Sequence, residues 1–438
     1  MLGPAVEVLG VTTDSRRIAT GDLFVALKGE RFDGHEYVVE SIRRGAAAAL
    51  VSRPIRADVP VSQVVVEDTR LALGQLAAAW RARFALPLLA LTGSNGKTTV
   101  KEMVAAILAV HCDGRVAVLA TEGNLNNDIG MPLTLLRLRE LHRYAVVEMG
   151  MNHRGEIDYL TRIAEPTVAL VNNAHRAHVG ILGSLEAIAE AKGEIYAGLR
   201  PGGIALVNAD DAFAPRWKAL NLDRRVVTFG LAEDADVHGR LADGQLRLVT
   251  PTDAFAATLQ VTGEHNVRNA IAACAAAYAL EIPPHAIQGG LAGFTGVPGR
   301  QQKRTAAGGA TVVDDTYNAN PDSMKAAARV LALAPGRKVF VMGDMGELGE
   351  GAAQMHAEVG AFAKQMQIDR LLALGEASRN AVEAFGAGAE HFSDLEALCA
   401  AALREDAPGT TILVKGSRFM QMERVAERLA PGGGRHAA

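Results

Sequence analysis

The chain has 438 residues, with 45 basic and 49 acidic side chains and a formal net charge of −4. At about 150 residues per domain, this length suggests about three domains. A hydrophobic share of 49% against 21% charged excludes wholesale disorder. The slightly acidic balance argues against general nucleic-acid binding and against a polybasic membrane-surface protein.

The N-terminus carries no basic region and has an acid at Glu7, so no secretory signal is expected. No apolar run reaches the ~18 residues of a membrane span. The longest candidate, Ala270 to Leu280, reads as a buried Ala-rich helix. A first α/β block is predicted over residues 1–85. It has strands at Asp22 to Leu27, Ala46 to Ser52 and Val61 to Glu67, and helices at Glu36 to Arg44 and Leu71 to Phe84. A second block, residues 86–300, begins with a short buried strand at Leu88 to Leu91, a Gly-containing loop and a helix from Lys97 to about Val110. Further strands are predicted at Tyr144 to Glu148, Val168 to Asn172 and Ile204 to Asn208, and the turn-rich Gly296 to Gln301 closes the block. A third block, residues 301–438, has strands at Thr311 to Asp314, Lys338 to Met342, Arg370 to Leu374 and Thr411 to Val414, and reads as Rossmann-like. Alternating strands and helices imply parallel sheets covered on both faces. The tail Pro431 to Ala438 has nothing to pack and is expected to be loose. Cys112, Cys274 and Cys399 form no C-x-x-C pair, which fits a reducing cytoplasm, no zinc site and three small buried side chains.

The sharpest local feature is T-G-S-N-G-K-T-T, Thr92 to Thr99. It follows an apolar strand and opens a helix, as a phosphate loop must. Gly93 and Gly96 let the backbone bend so that several N–H groups converge on one anion, and the helix N-terminus adds partial positive charge. Lys97 is placed to reach the β/γ-phosphates and the Thr98 hydroxyl to ligate Mg²⁺. The strict G-x-x-x-x-G-K-[ST] pattern is not met, because its first Gly position is Leu91. Glu148 ends the strand Y-A-V-V-E, where a carboxylate faces the same crevice and suits a metal. His178, in N-N-A-H-R-A-H-V-G, is a candidate metal or phosphate contact; taken alone it would more often be a surface histidine.

Six motifs, in order, resemble the ATP-dependent Mur ligase family, whose members build the peptide stem of bacterial cell-wall precursors. They are T-G-S-N-G-K-T-T, T-E-G-N-L-N-N-D-I-G-M-P (Thr121 to Pro132), V-E-M-G, A-K-G-E-I (Ala191 to Ile195), G-E-H-N-V-R-N-A (Gly263 to Ala270) and G-R-Q. The implied architecture is α/β in three domains: a small UDP-binding domain, a central phosphate-loop ATPase domain and a C-terminal Rossmann-like domain. Two segments of the third block, D-D-T-Y-N-A-N-P-D-S-M (Asp314 to Met324) and V-M-G-D-M-G-E-L-G (Val341 to Gly349), are similar to the member that joins D-alanyl-D-alanine to UDP-N-acetylmuramoyl-tripeptide. The first block, with T-D-S-R (Thr13 to Arg16) and the segment Gly21 to His35, is similar to the family's UDP-binding domain.

The resemblance implies roles residue by residue. Lys97 holds ATP phosphates within the loop Gly93, Ser94, Asn95, Gly96, Lys97, Thr98 and Thr99. Thr98 and Glu148 hold Mg²⁺, with His178 beside a second metal. Lys192, in A-K-G-E, is a position often carbamylated in the family; so modified, it stands in for a carboxylate and supports metal. The alternative is an ordinary helical surface lysine. Asn266 and Asn269 resemble adenine-side contacts, and Arg300 and Asp315 resemble ribose and phosphate contacts, with Asp314 the alternative to Asp315. Tyr317 and Asn318 border the adenine. Ser15, Arg16, Asp33, Gly34 and His35, with Phe32 in the same loop, are implied to grip the uridine nucleotide. Asn126 and Asn127 face the substrate side. Lys415, Gly416 and Ser417 contact the dipeptide or the cleft.

The implied reaction is cytoplasmic, ATP-driven amide formation through an acyl phosphate, by a monomer whose third domain swings about G-V-P-G-R to close the site. The expected cofactors are ATP and Mg²⁺, with no nucleic acid and no membrane insertion. The nearest alternatives are the preceding Mur ligase, which adds lysine or diaminopimelate, folylpolyglutamate synthetase, and a nucleotide-dependent binding module without ligase activity.

Overall fold

The computed structural model describes residues 3, 5–56 and 60–432. The expectation for the tail lies, from residue 433 onward, outside the described residues. Three sheets follow one another along the chain. The first contains β1 (Gly10–Thr12), β2 (Asp22–Val25), β3 (Ala48–Val51) and β4 (Gln63–Val65), all parallel in the order β1-β2-β3-β4. The central sheet is built from β5 (Leu88–Thr92), β6 (Val118–Ala120), β7 (Tyr144–Glu148), β8 (Val168–Val171), β9 (Ile204–Asn208), β10 (Arg225–Gly230), β11 (Val237–Ala242), β12 (Gln245–Val249) and β13 (Ala254–Ala257). Its order is β13-β12-β11-β10-β9-β8-β5-β7-β6. The third has β14 (Gln302–Thr305), β15 (Thr311–Asp315), β16 (Arg337–Gly343), β17 (Arg370–Leu374), β18 (Ala389–Phe392) and β19 (Thr410–Lys415), ordered β14-β15-β19-β16-β17-β18.

Each sheet carries an apolar core on both faces. This follows from strands such as L-L-A-L-T and V-A-L-V, buried at every position, as a parallel sheet between helices requires. The predicted strands at Tyr144–Glu148, Ile204–Asn208 and Arg370–Leu374 form at those residues. The helix predicted from Leu71 starts instead at Thr69, because Asp68 accepts from the backbone N–H of Arg70 and Leu71. The stretch predicted as a helix from Glu36 opens as a 3₁₀ turn, Gly34–Tyr37, before an α-helix at Val38–Arg43.

The meander β11-β12-β13 is absent from the sequence prediction; these strands pair antiparallel and extend one edge of the central sheet. Its hairpin turns on Asp243-Gly244, with φ of 54° and 75°. That is the Asp-Gly pair a two-residue hairpin favours, and the signal was present in the sequence. Ala270 to Leu280 lies largely within the buried helix Glu264–Ala279, as expected. Cys274 and Cys399 are buried, whereas Cys112 is only half-buried. Among the described residues no helix is long and apolar enough to cross a membrane.

Candidate active site

In the central sheet the phosphate loop follows β5, Thr121 follows β6, Glu148 ends β7 and Asn172 follows β8. All lie at the carboxyl edge, where open α/β sheets place their ligands. Gly96 precedes the Lys97–His111 helix with φ of +80°, and a Cβ there would collide with Asn269 and Asn172. A side chain at this position is therefore excluded twice, by conformation and by space.

Asparagines brace the loop. Asn95 N–H donates to Asn173 Oδ1 at 2.9 Å, and Asn172 Nδ2 donates to Asn95 O at 2.9 Å. Ser94 Oγ donates to His175 O at 2.9 Å. Asn172 Nδ2 also reaches Asn269 Oδ1 at 3.2 Å, and Asn269 Nδ2 stands 3.5 Å from Asn266 Oδ1. Asn266 and Asn269 are both buried on the face of their helix that meets the loop. Asn172 and Asn173 were not assigned from the sequence; the tandem N-N after a strand was the available signal.

Lys97 is half-buried, and its Nζ donates to Gly93 O at 2.7 Å. Loss of hydration lowers its pKa; Glu148 opposes this shift and Arg300 adds to it. Thr98 Oγ1 donates to Glu148 Oε2 at 2.8 Å, and Asn126 Nδ2 donates to Glu148 Oε1 at 2.7 Å. Glu148 is 2% exposed. Thr99, the next residue along the helix, is also buried. Asn127 is exposed and spends its Oδ1 on the backbone N–H of Ile129 and Gly130.

Lys192 is 2% exposed, so the surface-lysine alternative does not hold. Among the described residues it forms no salt bridge, and burial together with the nearby Lys97 charge pushes its pKa far down. His178 meets the third unit. It has φ of 63°, and its Nδ1 lies 2.5 Å from Glu347 Oε2 of the third unit.

The junction with the third unit, through Arg300, and the third unit itself, through Asn320, both reach the loop. Arg300 Nη2 donates to Thr98 Oγ1 at 2.9 Å, and its guanidinium lies 4.1 Å from the Tyr317 ring centroid. Asn320 Nδ2 donates to Asn95 Oδ1 at 2.8 Å while its own side chain caps the Pro321–Ala332 helix. Asp314 and Asp315 differ sharply. Asp314 is taken by Arg304 at 2.6 Å and by the Thr316 hydroxyl, whereas Asp315 pairs with buried Lys415 at 2.8 Å. Lys415 also donates to Asn318 O, and Ser417 Oγ to Ala319 O, so the Lys415–Ser417 turn is tied to the Asp315–Asn320 loop. Gly416 is buried between them.

In the first unit the two predicted loops follow β1 and β2, at the carboxyl edge of their own sheet. Ser15 opens a 3₁₀ turn capped by Asp14. Arg16 is exposed and forms a fork to Asp14 at 2.8 and 2.9 Å, which holds the Asp14 carboxyl down at about 2. His35 is buried: its Nδ1 meets Asp33 Oδ1 at 2.6 Å and its Nε2 accepts from Ser52 N–H at 2.9 Å. The His35 backbone N–H, helped by the ring and Arg53, keeps the Asp33 carboxyl at about 2. Gly34 is buried and Phe32 exposed.

Family models match in three consecutive segments: the Mur ligase family catalytic domain over residues 7–81, the Mur ligase middle domain over 91–277, and the Mur ligase glutamate ligase domain over 299–418. The chain belongs to the Mur ligase family. It is 45% identical to the UDP-N-acetylmuramoyl-tripeptide–D-alanyl-D-alanine ligase of Escherichia coli over 98% of this chain and 96% of that one. The solved structure of MurF from Acinetobacter baumannii superposes with a TM-score of 0.90 at 41% identity, covering 97% of this Mur ligase and 94% of that chain. The MurF ligase from Thermotoga maritima, solved in complex with ADP, superposes at 0.82 with 28% identity and 96% coverage of both.

Proposed function

We propose that this Mur ligase is the ATP-dependent enzyme that joins D-alanyl-D-alanine to UDP-N-acetylmuramoyl-tripeptide, releasing ADP and phosphate, in the cytoplasmic synthesis of peptidoglycan precursor. The observation that carries this reading is the Thr98–Glu148 pair beneath the phosphate loop, met by Arg300 at the junction with the third unit, in a chain 45% identical along nearly its whole length to a ligase of that name.

The donor set fits magnesium. Thr98 and Glu148 offer hard oxygen atoms 2.8 Å apart, and no group of three or more His, Cys, Asp or Glu suited to a metal occurs among the described residues. A cation that takes one or two protein oxygens and completes its shell with phosphates and water suits such a site. When bound, Mg²⁺ screens the negative charge of the carboxylate approaching the γ-phosphate.

The chain's own groups do the rest. Lys97 gives up its bonds to the loop carbonyls for the phosphates, and the loop amides fix the γ-phosphorus for in-line attack. The tripeptide carboxylate oxygen attacks phosphorus, and the bond to ADP breaks. The dipeptide amine then attacks the acyl carbon and loses a proton, and the carbon–oxygen bond breaks to release phosphate. Burial and the nearby Lys97 charge disfavour the ammonium form of Lys192 and so favour the neutral amine, the form that adds to CO₂. Its nitrogen bonds the carbon and sheds a proton, leaving an anionic carbamate opposite Lys97 for metal support. His178 is assigned beside a second metal, with the Glu347 carboxylate next to its Nδ1. Asn266, Asn269, Arg300 and Asp315 serve the nucleoside side of ATP. Ser15, Arg16, Asp33, Gly34 and His35, with Asn126 and Asn127, serve the UDP-linked substrate.

The test is a matrix of UDP-precursors against D-alanyl-D-alanine, lysine and diaminopimelate, read as ADP release. Release is expected only with UDP-tripeptide and D-alanyl-D-alanine together. Release with a UDP-dipeptide and a free amino acid would replace this reading by the preceding ligase.

A further inference from the structure

Lys101 lies one helical turn beyond Thr98 and is 1% exposed. A buried ammonium needs partners, and it has two. Its Nζ donates to Thr121 O at 2.6 Å and pairs with Glu102 Oε1 at 2.6 Å. Glu102 is itself matched by Arg115 at 3.0 Å, so the carboxylate does not depend on Lys101 alone.

Thr121 links this lysine to the metal side. Its Oγ1 accepts the backbone N–H of Glu148 at 2.9 Å. Five residues on, the same loop supplies Asn126, which donates to Glu148 Oε1, and Gly150 N–H returns to Asn126 O at 2.8 Å. A closed ring of bonds results. It runs from Thr98 along one helical turn to Lys101, through the Thr121 carbonyl and hydroxyl to the Glu148 backbone, and from the Glu148 carboxylate back to the Thr98 hydroxyl. Residues three apart on a helix share a face, which is why one helix supplies both ends of the ring.

We infer that Lys101 is a positioning residue for the ligase reaction: through Thr121 it sets the separation and direction of the Thr98 and Glu148 oxygen atoms that receive the metal. The inference rests on the proposed metal role of those two side chains. Lys101 is enclosed by Thr121 and Glu102 and would act through Thr121 rather than by direct contact. Groups hydrogen-bonded directly to a metal ligand tune metal affinity by about 10- to 100-fold when lost, and Lys101, which acts one link further out through Thr121, is expected at the low end of that range.

The experiment measures ADP release by the full-length enzyme against Mg²⁺ concentration at saturating substrates, with thermal melting in parallel, for Lys101→Met, Thr121→Val, their double variant and Glu148→Gln. In Lys101→Met the Mg²⁺ needed for half-maximal rate rises about 10-fold, while KM for UDP-tripeptide and for the dipeptide stay within about twofold. Thr121→Val shifts the requirement in the same direction, and the double variant shifts it no further than the larger single change, because both cut one ring. Lys101→Arg, which keeps the charge and the donors, restores part of the shift. Lys101→Gln replaces the Met variant if that chain does not fold. An unchanged Mg²⁺ requirement in Lys101→Met with a lowered melting temperature would make the lysine structural only and overturn the inference. An unchanged requirement in Glu148→Gln would overturn the metal assignment itself, and the inference with it.

Discussion

Between the first sheet and the central sheet lies the helix Thr69–Arg81, and what it buries there is mostly carbon. Leu73 packs with Leu23, Val25 and Leu50, with Leu133 and Leu136 of the central unit against the same cluster. Four residues on, Ala77 enters the central core beside Met131, Leu135 and Leu160. Gly74 lies so close to the Tyr159 hydroxyl that no side chain fits, and buried Arg81 donates to Ala164 O at 3.0 Å. The seam between the central and third units is mostly polar instead, although Val179 packs on the core of the third unit. Asn320 meets Asn95, and Arg176 spans to Asp322 and Glu358 at 3.0 Å each, while Arg300 in the connecting segment meets Thr98. Gly180 N–H donates to Glu347 O. Apolar contact is strong without direction and resists parting, whereas half-buried polar and ionic contacts can be exchanged for bonds to water when the units separate. The contrast supports a first unit fixed to the ATP unit and a third unit able to part from it about Gly296–Arg300, with the phosphate loop on the seam that opens.

If that division holds, changes at the polar seam should act on turnover and changes at the apolar seam on stability. The largest effect is expected for Lys97→Ala, which should cut ADP release by about 10³-fold or more while melting stays near wild type; a matched loss of fold would merge the two seams. Lys192→Ala, in neither seam, should lose about 10²-fold and regain part with added short carboxylates. Near-normal turnover would return Lys192 to a packing role. Leu73→Ala should cost about 3 kcal/mol in denaturant unfolding, with kcat close to wild type in the folded fraction. Arg176→Ala should change closure by only about 1 kcal/mol, seen as a severalfold rise in KM that shrinks at high salt.

The smallest effect concerns pH. Burial pushes the Asp322 and Glu358 carboxyls up, but their bonds to Arg176, and to Lys325 for Glu358, outweigh it and leave both below their ordinary range. A depressed carboxyl stabilises fully above its unfolded value and loses that contribution as pH falls through the folded one. Seam closure, followed by scattering or a distance probe, should therefore be flat from pH 9 to 5 and weaken only below about pH 4. A transition near pH 6 would point to His175 instead, whose pKa burial lowers.

What could be read from the sequence was local. Leu88 to Thr99 shows strand, turn and helix within twelve residues, and the short apolar run in Y-A-V-V-E puts Glu148 at a strand's carboxyl end. The Asp243-Gly244 hairpin was equally local but lay between strands whose alternation is broken by Gly239, Arg240 and Ala242. The cross-seam partners were not legible. Asn320 and Asn95 are 225 positions apart, Arg176 and Asp322 are 146, and no periodicity links them. Nor could spacing show that Lys192 and Lys101 point inward, since each sits in a helix where a lysine usually faces water.

The most direct test of the ligase account follows oxygen. With UDP-tripeptide carrying ¹⁸O in its terminal carboxylate, turnover with ATP and D-alanyl-D-alanine should deliver one labelled oxygen to the released phosphate, because that oxygen bonds phosphorus before the amine displaces it. Phosphate free of label would mean that the carboxylate never attacks ATP, and would contradict the account.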